Sequence, residues 1–456
     1  MIFADTFFAD IWEIISLRNY NTRLVILSTT ILGISTGLVG SFLLLRKRSL
    51  MGDALSHATL PGIALAFGLM TTWGFDGKSL PALLIGATIS GVLGVLLMLA
   101  IRRTTQLRDD VAMGLVLSVF FGLGIALLTM VQKLPGASAA GLESFIYGQP
   151  ASIVWNDFLL IAFICLAITI ATIFLFKEFT LLCFDDAFAA SQGWPALRLD
   201  VALLALVTAV TVIGLQSVGL ILIIAFLITP PTTARFWTNR LSHMAILSGV
   251  FGALSGWLGA TISALYVNLP AGALIVLAAA SLFLFSMLFA PARGVIPRAL
   301  RHRRLRQKVA RQHVLRAAYE ILETQCTNEP NEQGVHFVDN RPFPFQSLLS
   351  KRTWSPRELQ STLRAEQRLE HLERRPNGTV VLSEAGFGEA ARVTRNHRLW
   401  EAYLVTHADI APSHVDRDAD MVEHVLEADL VLELERVLRD RDAWIPMPRS
   451  PHEIPS

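Results

Sequence analysis

Cysteine is nearly absent from this chain: only Cys165, Cys183 and Cys326 occur in 456 residues. They share no paired spacing, which argues against a disulfide framework or a cysteine zinc site and is compatible with a reducing interior. No Gly-rich phosphate-binding loop followed by Lys and Ser or Thr occurs anywhere, which argues against an ATP-hydrolysing site of that kind in this sequence. The first 16 residues lack the basic start and cleavage site of a signal peptide. Amphipathic and acidic, they are expected to form an interfacial segment over residues 1–23. Ionisable groups are scarce inside the long apolar runs, and His57 and His243 are the only histidines before Arg298.

Apolar residues are plentiful instead, at 53% of the chain, but they are unevenly placed. From Leu24 to Phe289 they form runs of about 20 residues, the length a helix needs to cross a hydrocarbon core. Beyond Arg298 no run approaches that length, charged residues are frequent, and apolar residues recur at helical spacing as in a soluble fold. The net charge of +2 conceals this division, because the basic excess is concentrated in one stretch after the last apolar run. The expected layout is a membrane domain over residues 24–290, a basic linker over 291–312, and a soluble portion after it.

About nine spans can be drawn: Leu24–Leu45, Ala54–Met70, Leu80–Ile101, Val111–Val131, Ile153–Phe176, Leu199–Leu215, Val218–Thr233, Leu241–Val267 and Ala271–Phe289. Connections carrying Arg46, Lys47 and Arg48, then Arg102, Arg103 and Arg108, then Lys177 and Arg198, then Arg235 and Arg240, alternate to one side. The excess of positive charge marks that side as cytoplasmic, with the N-terminus outside. An odd number of spans delivers the basic run Arg298, Arg301, Arg303, Arg304, Arg306, Lys308 and Arg311 to the inner leaflet, where anionic lipids attract it. A plain stop-transfer anchor accounts for that run equally well. The fold class expected is an all-α polytopic membrane protein of the bacterial inner membrane, with a small cytoplasmic α+β winged-helix domain behind it.

Within the second span, Asp53 and His57 stand four residues apart, on one helical face. A carboxylate and an imidazole suit Mn, Fe or Zn in the divalent state, and the lack of a thiolate argues against a soft-metal site. Ionisable groups inside a membrane are costly, which makes a functional role the default. The alternative is that Asp53 caps the helix and His57 is hydrogen-bonded in the bundle. Pro61 and Gly62 are expected to interrupt the helix and free carbonyls toward a cavity. The connection Lys177–Arg198 reads as a short amphipathic surface helix ended by Gly193-Trp194-Pro195, or as a mere surface loop.

Four pieces in order now define a resemblance: Gly52-Asp53-Ala54-Leu55-Ser56-His57-Ala58 with Leu60-Pro61-Gly62, Leu142-Glu143-Ser144-Phe145-Ile146-Tyr147-Gly148, Val218-Gly219-Leu220 through Thr229-Pro230-Pro231-Thr232-Thr233-Ala234-Arg235, and Leu269-Pro270-Ala271-Gly272-Ala273. Over about residues 24–290 the chain resembles the manganese, zinc and iron class of ATP-binding-cassette permeases. The resemblance implies that Asp53 and His57 contact the metal during translocation. It implies that Asp185, Asp186, Phe188, Gly193 and Trp194 lie in the coupling helix that docks on an ATPase subunit. It also implies an extracytoplasmic metal-binding protein as donor, and a second copy or a sister permease as partner.

In the soluble half, His313–Glu323, Pro344–Lys351 and Ser355–Glu373 read as helices, the last opened by a capping box of Ser355 and Glu358 with Pro356 at its first position. Asn377-Gly378 between short extended runs signals a hairpin, the wing of a winged helix over residues 313–390. Arg357, Ser361, Thr362 and Arg364 stand toward the front of the third helix, where a recognition helix presents side chains to DNA. Further on come His397 and Glu401 at spacing four, then Asp420, Glu423 and His424 on one face; such pairs are ordinarily surface ion pairs.

Arg395-Asn396-His397-Arg398-Leu399-Trp400-Glu401 with Asp420-Met421-Val422-Glu423-His424-Val425-Leu426 resembles the diphtheria toxin repressor family of metal-dependent regulators, over about residues 309–456. That resemblance implies an all-α metal-binding and dimerisation region over residues 391–456. It implies a divalent Mn, Fe or Zn ion held by Asp420, Glu423, His424 and His313, with His397 and Glu401 in an ancillary site. His313 and Asp420 replace other ligand types, and the long polar connection Cys326–Phe343 is unusual for a compact winged helix. The function expected is an importer permease with a cytoplasmic metal sensor; a membrane-tethered transcriptional regulator is the alternative.

Overall fold

The computed structural model describes residues 19–48, 50–74, 80–133, 153–184, 186–266, 269–326, 338–351, 354–407, 433, 434 and 436. The chain divides into two compact units, Met1–Arg298 and Ala299–Ser456.

Among the described residues of the first unit, eight helices are long and apolar enough to cross a membrane. They are α1 (Tyr20–Leu45), α2 (Met51–Thr72), α3 (Leu80–Thr104), α4 (Asp109–Val131), α5 (Trp155–Phe174), α8 (Ala196–Val218), α10 (Leu241–Leu265) and α11 (Ala271–Phe289). Two short helices, α6 (Phe176–Phe184) and α7 (Asp186–Ser191), lie between α5 and α8. The expected span Val218–Thr233 departs from the rest. It forms α9 (Leu220–Arg235), 16 residues long, or about 24 Å at the usual rise per residue, short of a hydrocarbon core of about 30 Å. Gly219 before it adopts φ +86°, a backbone region that only glycine enters freely, and the chain doubles back there so that Ile223 packs on Gly214. Nine expected spans are thus eight full helices and one short one, which packs between α1, α10 and α11.

Burial separates central from peripheral helices. The most apolar stretch of α1 is 72% buried and that of α2 67%, whereas α5 reaches 22% and α11 17%. The outer helices are apolar all round, as helices facing lipid must be. Lipid supplies no hydrophobic drive for helices to associate, so close backbone approach takes its place. On α1 and α10, a Cβ added at Gly33 would lie 2.3 Å from the carbonyl oxygen of Gly252. One turn along, the Ser248 hydroxyl donates to the carbonyl of Gly37 at 2.6 Å.

The basic connections gather at one end of this bundle. Arg46 and Arg48 after α1 reach Asp200 at the start of α8; Arg102 at the end of α3 reaches Asp109 at the start of α4. Lys47, Cys183, Phe184 and Arg235 line one pocket, and the Arg293 amide donates to the carbonyl of Phe236 just beyond α9.

In the second unit, the helix α12 (Val295–Cys326) contains the boundary between the units and buries Val314, Leu315, Ala317, Ala318, Tyr319, Ile321 and Leu322. The helix expected at His313 therefore begins 18 residues earlier, carrying an exposed basic stretch. Then follow β1 (Phe343–Pro344), α13 (Phe345–Lys351), α14 (Pro356–Arg368), β2 (Leu372–Arg374), β3 (Thr379–Leu382) and α15 (Glu384–His407). The sheet is antiparallel in the order β1-β3-β2. Its core combines the buried face of α12 with Phe343, Leu348, Leu359, Leu363, Leu372, Val380 and Leu382.

Local signals hold up well here. Ser355 and Glu358 form both halves of the capping box, and the hairpin turns through Gly378 at φ +80°. The expected helix Ser355–Glu373 stops at Arg368, because Leu372, Glu373 and Arg374 pair with β3; a ladder partner outweighs the helical preference of that segment.

Candidate functional site

Asp53 sits in the first turn of α2, where the helix dipole favours a negative charge. One turn on, His57 points Nε2 at Asp53 Oδ1, 3.3 Å away, with the two side chains 18% and 29% exposed. The ring of Phe121, from α4, lies nearly perpendicular to the imidazole, 4.8 Å between ring centres. The other ring nitrogen, Nδ1, is buried with no hydrogen-bond partner. A buried nitrogen left without a partner is costly, and a cation beside it would relieve that cost.

Pro61 does not break α2, which continues to Thr72. It lacks the amide that would bond the carbonyl four residues earlier, and that carbonyl belongs to His57. The expected interruption at Gly62 is instead a packing point: a Cβ there would lie 2.0 Å from the carbonyl oxygen of Gly86. Beside it the Ser90 hydroxyl donates to the carbonyl of Ala58 at 2.6 Å. The glycine serves the α2–α3 contact.

Next to the start of α2 lies a charged cluster that the sequence did not single out. Arg48, 2% exposed, donates to both carboxylate oxygens of Asp200 at 2.8 and 3.1 Å and to Asp109 at 3.0 Å. Arg46 reaches Asp200 at 3.2 Å, and Arg102 reaches it at 3.4 Å. Arg46 also donates to the carbonyl of Leu182 in α6, at 2.6 Å. The available signal was the presence of Asp109 and Asp200 at helix starts among connections otherwise rich in arginine. Arginines in such connections are ordinarily surface groups, and nothing in the local sequence reveals their distant partners.

Of the coupling residues, Asp185 lies outside the described residues, and Asp186 begins α7. Phe188 and Trp194 are 51% and 44% exposed, while Ala189 between them is fully buried. Gly193 at φ +80° closes the helix, with the Trp194 amide bonded to the carbonyl of Ala189 at 3.0 Å, as a left-handed C-terminal cap does.

On α14, Arg357, Ser361 and Arg364 share an exposed face opposite the buried Leu359, Leu363 and Glu366. Thr362, half-buried, donates its hydroxyl to the carbonyl of Glu358. Glu366 is fully buried and takes Arg311 on one oxygen and His371 on the other.

The ligands expected from α12 and α15 are placed as follows. His313 is half-buried on α12; Asp420, Glu423 and His424 lie outside the described residues. His397 and Glu401 meet at 3.1 Å, both buried, and the Arg316 guanidinium lies 2.5 Å from His397 Nδ1. Glu320 is 3.2 Å from Arg316 Nε; burial pushes its carboxyl above the usual range, an effect opposed by Arg316. Arg398 holds Glu323 through two parallel bonds. Among the described residues, no group of three or more His, Cys, Asp or Glu is placed to hold a metal ion.

Comparison with known proteins matches the ABC 3 transport family to residues 19–290, and the iron dependent repressor, metal binding and dimerisation domain to residues 383–443. The manganese transport system membrane protein MntC of Bacillus subtilis (strain 168) is 40% identical over 411 residues, 90% of this chain and 90% of that protein. The zinc transport system membrane protein TroC of Treponema pallidum (strain Nichols) is 44% identical over 287 residues, 63% of this chain and 95% of that protein. A solved structure of PsaBC from Streptococcus pneumoniae in complex with Fab matches with a TM-score of 0.54 and 35% identity, over 62% of this chain and 97% of that one.

Proposed function

Because the chain belongs to the ABC 3 transport family, we propose that it imports divalent transition-metal ions by way of Asp53 and His57, with manganese first and zinc or iron as alternatives. The observation that carries this reading is the buried, partnerless Nδ1 of His57, whose other nitrogen, Nε2, faces the Asp53 carboxylate. The ion is cargo, so the pair must bind it weakly enough to release it. Two protein donors, with water completing the shell, suit transient binding better than a closed four-ligand cage. Relatives named for manganese and zinc transport support the same class of ion.

In this reading an extracytoplasmic binding protein delivers the ion, and a second copy or a sister permease completes the path. A separate ATPase chain docks on Asp185 to Trp194 and hydrolyses ATP. The exposed rings of Phe188 and Trp194 offer it apolar anchors. Movement of that segment has a physical route to α2, since the carbonyl of Leu182 holds Arg46, and Arg46 and Arg48 share Asp200. The test is uptake of radiolabelled manganese by the reconstituted complex. Asp53→Ala and His57→Ala should each abolish it, and unchanged uptake in both would falsify the path.

The second unit carries an iron-dependent-repressor-like domain, and we assign it the sensing of the imported ion on the cytoplasmic side, with His313, Asp420, Glu423 and His424 as the metal set. The exposed face of Arg357, Ser361 and Arg364 favours DNA contact as a second output. Titration of the full chain with manganese checks the sensor. Binding indifferent to Glu423→Ala and His424→Ala removes it.

A further inference from the structure

The pair His397–Glu401 has the residue types and spacing of a metal site, and the matched repressor domain includes both residues. Its surroundings carry a different message. Arg316, on α12, is 2% exposed and brings a guanidinium nitrogen within 2.5 Å of His397 Nδ1. A guanidinium has only N–H donors to offer, so the imidazole nitrogen must accept and present its lone pair to the arginine. The ring proton then sits on Nε2, which faces Glu401 Oε1 at 3.1 Å. The lone pair a metal ion would need is directed at a fixed positive charge.

The carboxylates match this arrangement. Glu320, one turn further along α12, lies 3.2 Å from Arg316 Nε, and Glu401 lies 3.1 Å from His397 Nε2. An imidazole and a carboxylate are donors a divalent ion would attract, with Glu401 in the place of the carboxylate that orients a metal-bound histidine. We propose that the Arg316 guanidinium is the resident cation of this site, so that His397 and Glu401 hold an arginine and not a metal ion. Since arginine stays charged at every pH a cell experiences, the junction between α12 and α15 is then tied permanently, with Arg398 and Glu323 as a second tie. Metal control of the soluble unit passes to the remaining set, and this inference does not depend on how many ions that set binds.

The experiment counts ions directly. Full-length protein in detergent is dialysed against manganese or zinc chloride, and bound metal is measured by mass spectrometry for the wild type, His397→Ala, Arg316→Ala and the double variant. The expected result is equal binding by wild type and His397→Ala, one additional ion per chain in Arg316→Ala, and loss of that ion in the double variant. One ion fewer in His397→Ala than in wild type overturns the proposal, as does a folded Arg316→Ala that gains none. Where Arg316→Ala fails to fold, the comparison of wild type with His397→Ala decides alone. A fault in the sensor reading would show separately, as metal binding unaffected by Glu423→Ala.

Discussion

Replacing Asp200 by asparagine removes the one carboxylate that three arginines share. Arg46, Arg48 and Arg102 approach it at 3.2, 2.8 and 3.4 Å, and Arg48 is only 2% exposed. A charge-assisted hydrogen bond contributes about 1.5–3 kcal/mol, but the three are coupled and cannot be summed. Breaking a buried ion pair while leaving the other charge in place costs about 3–5 kcal/mol. Asp109 still holds Arg48 at 3.0 Å, so a loss near the lower end, about 3 kcal/mol, is expected. Asp200→Asn should therefore melt earlier than wild type when detergent-solubilised protein is heated and its folded fraction followed by size-exclusion chromatography. Arg48→Met should do the same, while Arg48→Met with Asp200→Leu should lose less than the sum, because the Arg48–Asp200 interaction is counted in both single variants and lost only once in the double. Wild-type melting of Asp200→Asn, or simple additivity in the double variant, refutes the claim that these residues form one buried network.

Three further outcomes follow from packing and ionisation. Gly62→Ala must place a Cβ 2.0 Å from the carbonyl of Gly86, whereas Gly114→Ala meets nothing within 4 Å; the former should lose about 1–3 kcal/mol and the latter should keep wild-type thermal stability, so equal melting contradicts the α2–α3 contact. Burial pushes the Cys183 thiol up to about 12, with Arg46 acting against it, and since the thiolate is the reactive form, Cys183 should resist maleimide labelling at neutral pH; stoichiometric labelling seen by peptide mass spectrometry would count against this. The Glu320 carboxyl is held above the usual carboxylate range, first by burial. The folded state then holds the proton more tightly, so that contribution is fully present below the unfolded value and is lost as pH rises through the folded one. Glu320→Gln should flatten this acid-side part of the melting curve of the second unit, and an unchanged pH profile argues against it.

Much of the architecture was legible locally. Apolar runs of about 20 residues mark helices because a spanning segment must satisfy its own backbone, and eight of the nine drawn segments form such helices. The capping box at Ser355 and the turn at Gly378 were equally readable, since each is settled by side chains or backbone freedom within four residues. Asp53 and His57 were readable by spacing alone: one helical turn brings them to 3.3 Å whatever the rest of the chain does.

What composition and spacing determined, then, are the helices, the division into an apolar and a charged unit, and the pairs of groups one turn apart. Tertiary structure decided everything that depends on distant partners. Arg48 meets Asp200 across 152 positions and Arg316 meets His397 across 81, so no local pattern could turn a row of orienting arginines into a buried network or fill a metal-like pair with a guanidinium. It decided also that α9 is short and Pro61 is accommodated without a break. The physical reason is the same in each case: a helix is specified by bonds within itself, while the charge state, burial and use of its side chains are specified by what the fold brings against them.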